Sequence, residues 1–136
     1  MSRTARTTFL LLVLAQAAHS GEEYAGRLYD VLAPARYVSG LVSEDRRIGF
    51  LIFNGALVAF GLWCVLGPVR RGAPVARPLA WFWVVLEIGN SLAHAAWAAA
   101  AGAYRPGLAT APFLAGLAVL LAWQLRQAPS GARAAV

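Results

Sequence analysis

Charge is what this chain has least of. Asp, Glu, Lys and Arg make up 13% of its 136 residues, against roughly 25% in an ordinary soluble domain, while 60% are hydrophobic against the usual ~45–50%. Together with a mean hydropathy of +0.59, this takes the chain out of the ordinary soluble class and into the membrane class. Lysine is absent: all twelve basic residues are Arg, and they sit at the edges of apolar runs. That placement suits membrane anchors and topology signals, and the net charge of +6 is not gathered into a nucleic-acid-binding patch. A single cysteine, Cys64, excludes an intrachain disulfide. No phosphate-cradling Gly loop, Cys-x-x-Cys pair, nucleotide fingerprint, internal repeat or heptad array is found. The length leaves room for one domain.

What is present is a set of long apolar stretches with a few polar residues inside them. Residues 78–102 read PLAWFWVVLEIGNSLAHAAWAAAAG, apolar throughout except at Glu87, Asn90, Ser91 and His94. About 20 apolar residues cross a bilayer as a helix. At ~3.6 residues per turn, Glu87, Asn90 and His94 share one face. Ionisable groups at such a depth are costly and mark a functional site by default.

The rest of the chain supplies three more candidate spans, so the expected fold is an all-α bundle of four transmembrane helices over about 8–28, 48–66, 79–102 and 108–125. The first has two readings. Arg3 and Arg6, the apolar run from Phe9 to Leu14 and the Ala15-Gln16-Ala17 sequence fit a cleaved leader. The same stretch fits a first span carrying His19, Glu22 and Glu23 in its outgoing half. Residues 33–47 read as a loop, broken by Pro34, Gly40 and the run Glu44-Asp45-Arg46-Arg47. The second span holds Asn54, expected to be an interhelical hydrogen-bond partner, and Gly67-Pro68 is expected to end it. Tyr104-Arg105-Pro106-Gly107 forms a turn, after which Thr110 is placed to cap the fourth helix, with Pro112 in its first turn. Residues 128–136 are expected to fray.

Arg placement orients the bundle. Arg3, Arg6, Arg70, Arg71, Arg77, Arg126 and Arg133 fall on one side and Arg27, Arg36, Arg46, Arg47 and Arg105 on the other, which favours both termini in the cytoplasm. The expected location is the cytoplasmic membrane of a bacterium, crossed several times. Trp63, Trp81, Trp83 and Trp123 lie at the cytoplasmic edge as belt residues, and Tyr24, Tyr29, Tyr37 and Tyr104 at the other. In this topology His19, Glu22 and Glu23, on one helical face, share a half of the membrane with His94 and the turn at 106–110. Gly89 and Ala93, with the Ala-rich stretch that follows, would let a neighbouring helix approach closely.

Three motifs now stand in order: His19-x-x-Glu22-Glu23, Glu87-x-x-Asn90-x-x-x-His94 and Pro106-Gly107-x-x-Thr110. In these the chain resembles the HxxEE family of integral membrane proteins over about residues 10–125. The resemblance implies that these nine residues are the signature positions and weighs against cleavage after Ala17. It names no reaction.

The residues themselves point to a metal. Imidazole with carboxylate suits Fe, Zn or Mn, so His19, Glu22, Glu23 and His94 are the candidate ligands for a divalent ion. Glu87 and His94 are about 10.5 Å apart along the helix axis, too far for one ion to take both without strain. Either two metals are held ~3.5–4 Å apart, or Glu87 and Asn90 support the ligands from behind or contact substrate. Glu87 is therefore a candidate ligand or general acid/base, Asn90 a substrate-orienting group, and Thr110 a hydrogen-bonding group at the pocket mouth. Ser91 completes no Ser-His-Asp set, and Cys64 reads as a small core or lipid-facing residue. The favoured expectation is a metal-dependent membrane enzyme acting on a hydrophobic small molecule. The alternatives are a metal-free acid/base isomerase or cyclase, an ion- or ligand-binding or transport protein working as a homo-oligomer, and a structural knot that fixes helix register.

Overall fold

Helix is the only regular structure among the residues described. The computed structural model describes residues 1–127; residues 128–136, expected to fray, and Arg133 within them, lie outside the described residues. The order is α1 (Arg3–Ala25), α2 (Leu28–Val31), α3 (Ala33–Val42), α4 (Arg46–Cys64), α5 (Ala76–Ala101) and α6 (Ala111–Gln127), with a π-helical turn, Val65–Val69, continuing α4. The all-α class read from composition is what the chain adopts. By length and composition, one stretch among the described residues is apolar enough to cross a membrane: α4 with its π turn, Arg46–Val69. The other long helices fall short of the expected four spans because α6 covers 17 residues and α1 and α5 carry polar side chains in their middles.

Local chemistry sets the helix ends. Ser2 caps α1 by accepting from the Ala5 amide at 3.1 Å, and the Asp45 carboxylate caps α4 by accepting from the Arg47 amide at 2.9 Å. Gly102 closes α5 at φ 60°, in the left-handed region that glycine enters without steric penalty.

Three boundary expectations need correction. Residues 33–47 are not all loop: Ala33–Val42 is helical, since Pro34 falls in the first turn, where its missing N–H costs nothing. Gly67-Pro68 does not end the second apolar helix. The wider π turn absorbs the proline's steric conflict, and the chain turns only at Gly72, φ 68°. Thr110 stands at the head of α6, where its carbonyl accepts from Leu114 at 3.3 Å, but its hydroxyl turns away to His19 and Glu22.

The four long helices run up, down, up, down. The lower core is dry: Phe9, Leu12 and Val13 of α1 meet Cys64 of α4, Trp83 of α5, and Leu114 and Leu121 of α6, all fully buried. The stretch read as either leader or first span is, in this fold, a helix packed against α4 and α6. Trp83 is no belt residue; it is the largest fully buried side chain. Gly61 of α4 makes the close approach here, since a Cβ would stand 2.7 Å from the Trp83 ring and 2.9 Å from Val13. Gly89 and Ala93 serve no such contact among the described residues: none lies within 4 Å of a Cβ built at Gly89, and both residues line an open cleft instead. At the upper end Leu28, Tyr29 and Phe50 form a second, smaller apolar cluster. Between the two clusters lies a buried polar layer.

Candidate functional site

The polar layer begins on one face of α1. Gln16, His19, Ser20 and Glu23, spaced i, i+3, i+4 and i+7, share that face and are all buried. From α5, Glu87, Ser91 and His94 meet them, also buried. His19, Glu23 and His94 offer one ligand atom each within 4.8 Å of one another and could hold a metal ion. The Glu23 Oε1 is 3.0 Å from the His94 Nε2 and 3.4 Å from the His19 Nε2. The imidazoles stand edge to face with centroids 4.8 Å apart.

The turn between α5 and α6 closes this group. Gly107, at φ 93°, lies against both rings; a Cβ there would collide with the Nδ1 and Cε1 of His94 and with the Cε1 of His19. Only glycine combines that backbone conformation with that proximity. Glu22 holds the turn in place. One of its oxygens accepts from the amides of Gly107 at 3.0 Å and Ala109 at 3.1 Å and from the Tyr104 hydroxyl, and the other accepts from the amide of Thr110 at 2.9 Å and from its hydroxyl. Glu22 thus stands apart from the His19–Glu23–His94 group, both oxygens engaged, as the fastening of a loop. The hydrogen bond to Glu22 pushes the Tyr104 phenol above its ordinary value.

This network fixes the His19 tautomer. Thr110 has one hydroxyl proton and gives it to Glu22, which as a carboxylate can only accept. The 2.7 Å contact between Thr110 Oγ1 and His19 Nδ1 is then donated by Nδ1–H. In a neutral ring the Nε2 lone pair remains, buried, with no hydrogen-bond partner, facing the Glu23 oxygen. Two lone pairs facing each other call for a positive group between them, which a metal ion, a proton held on the ring or on the Glu23 carboxyl, or a bridging water can supply. The donor set, two imidazoles and one carboxylate, suits Zn or Fe, and the unpartnered nitrogen is what a ligand position provides. The His94 Nδ1, on the ring edge against Gly107 and away from the Glu23 contact made by Nε2, is also buried without a partner among the described residues.

Glu87 lies apart from this cluster and is fully buried. With its carboxamide oriented by the hydrogen-bond pattern, Gln16 donates to both Glu87 oxygens, at 2.9 and 3.3 Å, and accepts from Ser20. Asn90, half-buried, is hydrogen-bonded to Glu87 from the next turn of α5. Ser91 donates to the Glu87 carbonyl at 2.7 Å, so its hydroxyl is used within the helix. The single Ser20 hydroxyl proton is shared between Gln16 and the Asn54 Oδ1, 2.9 Å away, which ties α4 to α1 as an interhelical contact.

The sequence places Gln16 only in a cleavage-like tripeptide, and Tyr104 in a turn and among the tyrosines at one membrane edge. For Gln16 a signal existed: it precedes His19 by three residues and Glu23 by seven, on the same face. For Tyr104 there was none, because its partner Glu22 is 82 residues away.

Set against family models, curated proteins and solved structures, the chain matches none.

Proposed function

We propose that this chain is a four-span protein of the bacterial cytoplasmic membrane, with both termini cytoplasmic, and that it is a metal-dependent enzyme acting on a hydrophobic small molecule. The HxxEE resemblance is part of that proposal. The membrane reading draws support from the outward faces of all four long helices. Leu11 and Leu14 of α1, Phe53 of α4, Val85 of α5 and Phe113 of α6 are each about half exposed or more, a distribution that fits lipid better than water.

The observation that carries the functional reading is the His19 lone pair held against Glu23 by Thr110 and Glu22. His19, Glu23 and His94 would hold the ion, with Zn, Fe or Mn as candidates. Such an ion would supply Lewis acidity or an activated water. Glu22 positions the turn, Thr110 orients His19, and Gly107 brings backbone against both rings. Glu87 and Asn90 face the space beside the cluster, where Glu87 can take or give a proton and Asn90 can orient a polar group of the substrate. The second reading keeps the same atoms with a proton in place of the ion: the Glu23–His94 bond of 3.0 Å then makes an acid/base pair for an isomerisation or cyclisation.

Elemental analysis of detergent-purified protein separates the two. The expected result is about one equivalent of metal, lost in His19→Ala and His94→Ala and reduced in Thr110→Val. Metal-free protein after loading with Zn, Fe and Mn in turn would overturn the metal reading and leave the acid/base pair.

A further inference from the structure

Beside the cluster lies a cleft of about 740 Å³. Its size is that of small-molecule sites, which run to ~300–1,000 Å³. Helices α1, α4 and α5 contribute to its lining, and α3 adds Pro34, Ala35, Val38 and Ser39. Ser39 seats α3 firmly: its backbone packs against Gly49 so closely that a Cβ at Gly49 would overlap the Ser39 carbonyl. The cleft walls are apolar, with Phe50, Phe53, Leu57, Phe82, Val85 and Leu86. Phe53, Phe82 and Val85 also face outward, so the opening is sideways, between helices.

The polar part of the lining has one character. It consists of Glu23, Glu87, Gln16, Asn90, Asn54 and Ser39, and among the described residues no Arg, Lys or His lines the cleft. Two carboxylates with carboxamides and no cation attract a hydrogen-bond donor and repel an anion. Gly89 and Ala93 keep the floor open beside Asn90, and nothing lies within 4 Å of a Cβ placed at Gly89.

We infer that this cleft binds an amphiphile with a single apolar tail and a hydrogen-bond-donating head without negative charge, an alcohol or an amine, the tail lying between α4 and α5 and the head against half-buried Asn90, at the edge of the buried Glu87–Gln16 pair. This names the substrate class for the site proposed above and rests on that reading for its place in the membrane. Entry is lateral, from the bilayer. Acidic heads, as in fatty acids and phospholipids, find no cationic side chain among the described residues of the lining to receive them.

Full-length protein in nanodiscs, with and without chelator, would be titrated with radiolabelled hexadecanol, and hexadecylamine and hexadecanoate would be added as competitors. Saturable hexadecanol binding is expected, with the amine competing at least tenfold better than the acid. Gly89→Leu, which fills the floor, should lose at least tenfold in affinity with metal content unchanged. Asn90→Leu should weaken hexadecanol and leave the acid as poor as before. Equal or better competition by hexadecanoate in chelated protein overturns the inference, as does unchanged binding in Gly89→Leu. A concentration-dependent dimer that Gly89→Leu abolishes, with no hexadecanol bound, assigns the cleft to a second copy and also overturns it. Metal without saturable binding defeats this inference alone; cleft-dependent binding without metal defeats only the metal assignment.

Discussion

The lower and upper halves of the bundle are built from the same four helices by opposite means. Below, Phe9, Leu12, Trp83, Leu121 and their neighbours fill space by shape alone. Above, Gln16, His19, Ser20, Glu22, Glu23, Glu87 and His94 are held by directional bonds whose partners are up to 91 residues apart. A dry interface tolerates volume-conserving change, whereas a buried polar network fails when one member is removed, because its partner is left unsatisfied. The two halves should therefore answer mutation differently: the lower in stability, the upper in metal and ligand binding.

The largest expected effect tests the lower half. Trp83→Ala should cost about 3–5 kcal/mol, the loss typical of a large aromatic removed from a close-packed core. Thermal unfolding in detergent would measure it, and the folded fraction should keep its metal. Metal lost in proportion to stability would mean that the halves are not separable.

Next comes the fastening of the turn. Glu22→Ala leaves three amides and two hydroxyls without their acceptor. A loss on the order of 3 kcal/mol is expected, since hydrogen bonds to a charged group are worth ~1.5–3 kcal/mol each and water replaces part of them at this half-exposed site. Metal affinity should fall with it. Glu22→Ala that kept full metal affinity would remove the turn from the site.

Gly107→Ala sharpens the contrast further. A Cβ at φ 93° costs about 1–3 kcal/mol in strain and pushes into both imidazoles. Metal content should drop while the helical circular-dichroism signal stays unchanged. Gln16→Leu is milder, at about 1–2 kcal/mol, because Glu87 loses a donor and retains Asn90.

The smallest effect is a pH dependence. Tyr104 ionises above its ordinary value because Glu22 accepts its proton's hydrogen bond. A raised value in the fold means that this contribution to stability is complete below the ordinary tyrosine pKa of ~10 and is lost as pH rises through the raised one. Phenolate absorbance should show one tyrosine titrating late, and in Glu22→Gln it should shift back toward the ordinary value. A late tyrosine unaffected by Glu22→Gln would detach Tyr104 from the turn.

Much of this was legible in the chain. Helical class followed from composition, and His19, Glu23, Glu87 and His94 declared themselves as polar groups on single faces of apolar segments. The spacing did not separate Glu22 from Glu23. They are adjacent and chemically identical, yet one fastens a turn and the other joins two imidazoles. Nor did it show α3, whose Pro34 and Gly40 read as breakers although they fit a short helix seated on Gly49. Gly89 and Ala93 carried the pattern of a close helix contact and line an opening instead.

The sequence by itself determined which residues could be polar inside an apolar bundle and which face of α1 and of α5 each occupies, because helical periodicity is a local property of the chain. Only the tertiary structure decided what each polar group meets: that Thr110 points the His19 lone pair at Glu23, that Glu22 faces the turn, and that a cleft stands open beside Glu87. Those outcomes depend on how far each helix is rotated and shifted against its neighbours, and contacts between residues tens of positions apart set that register.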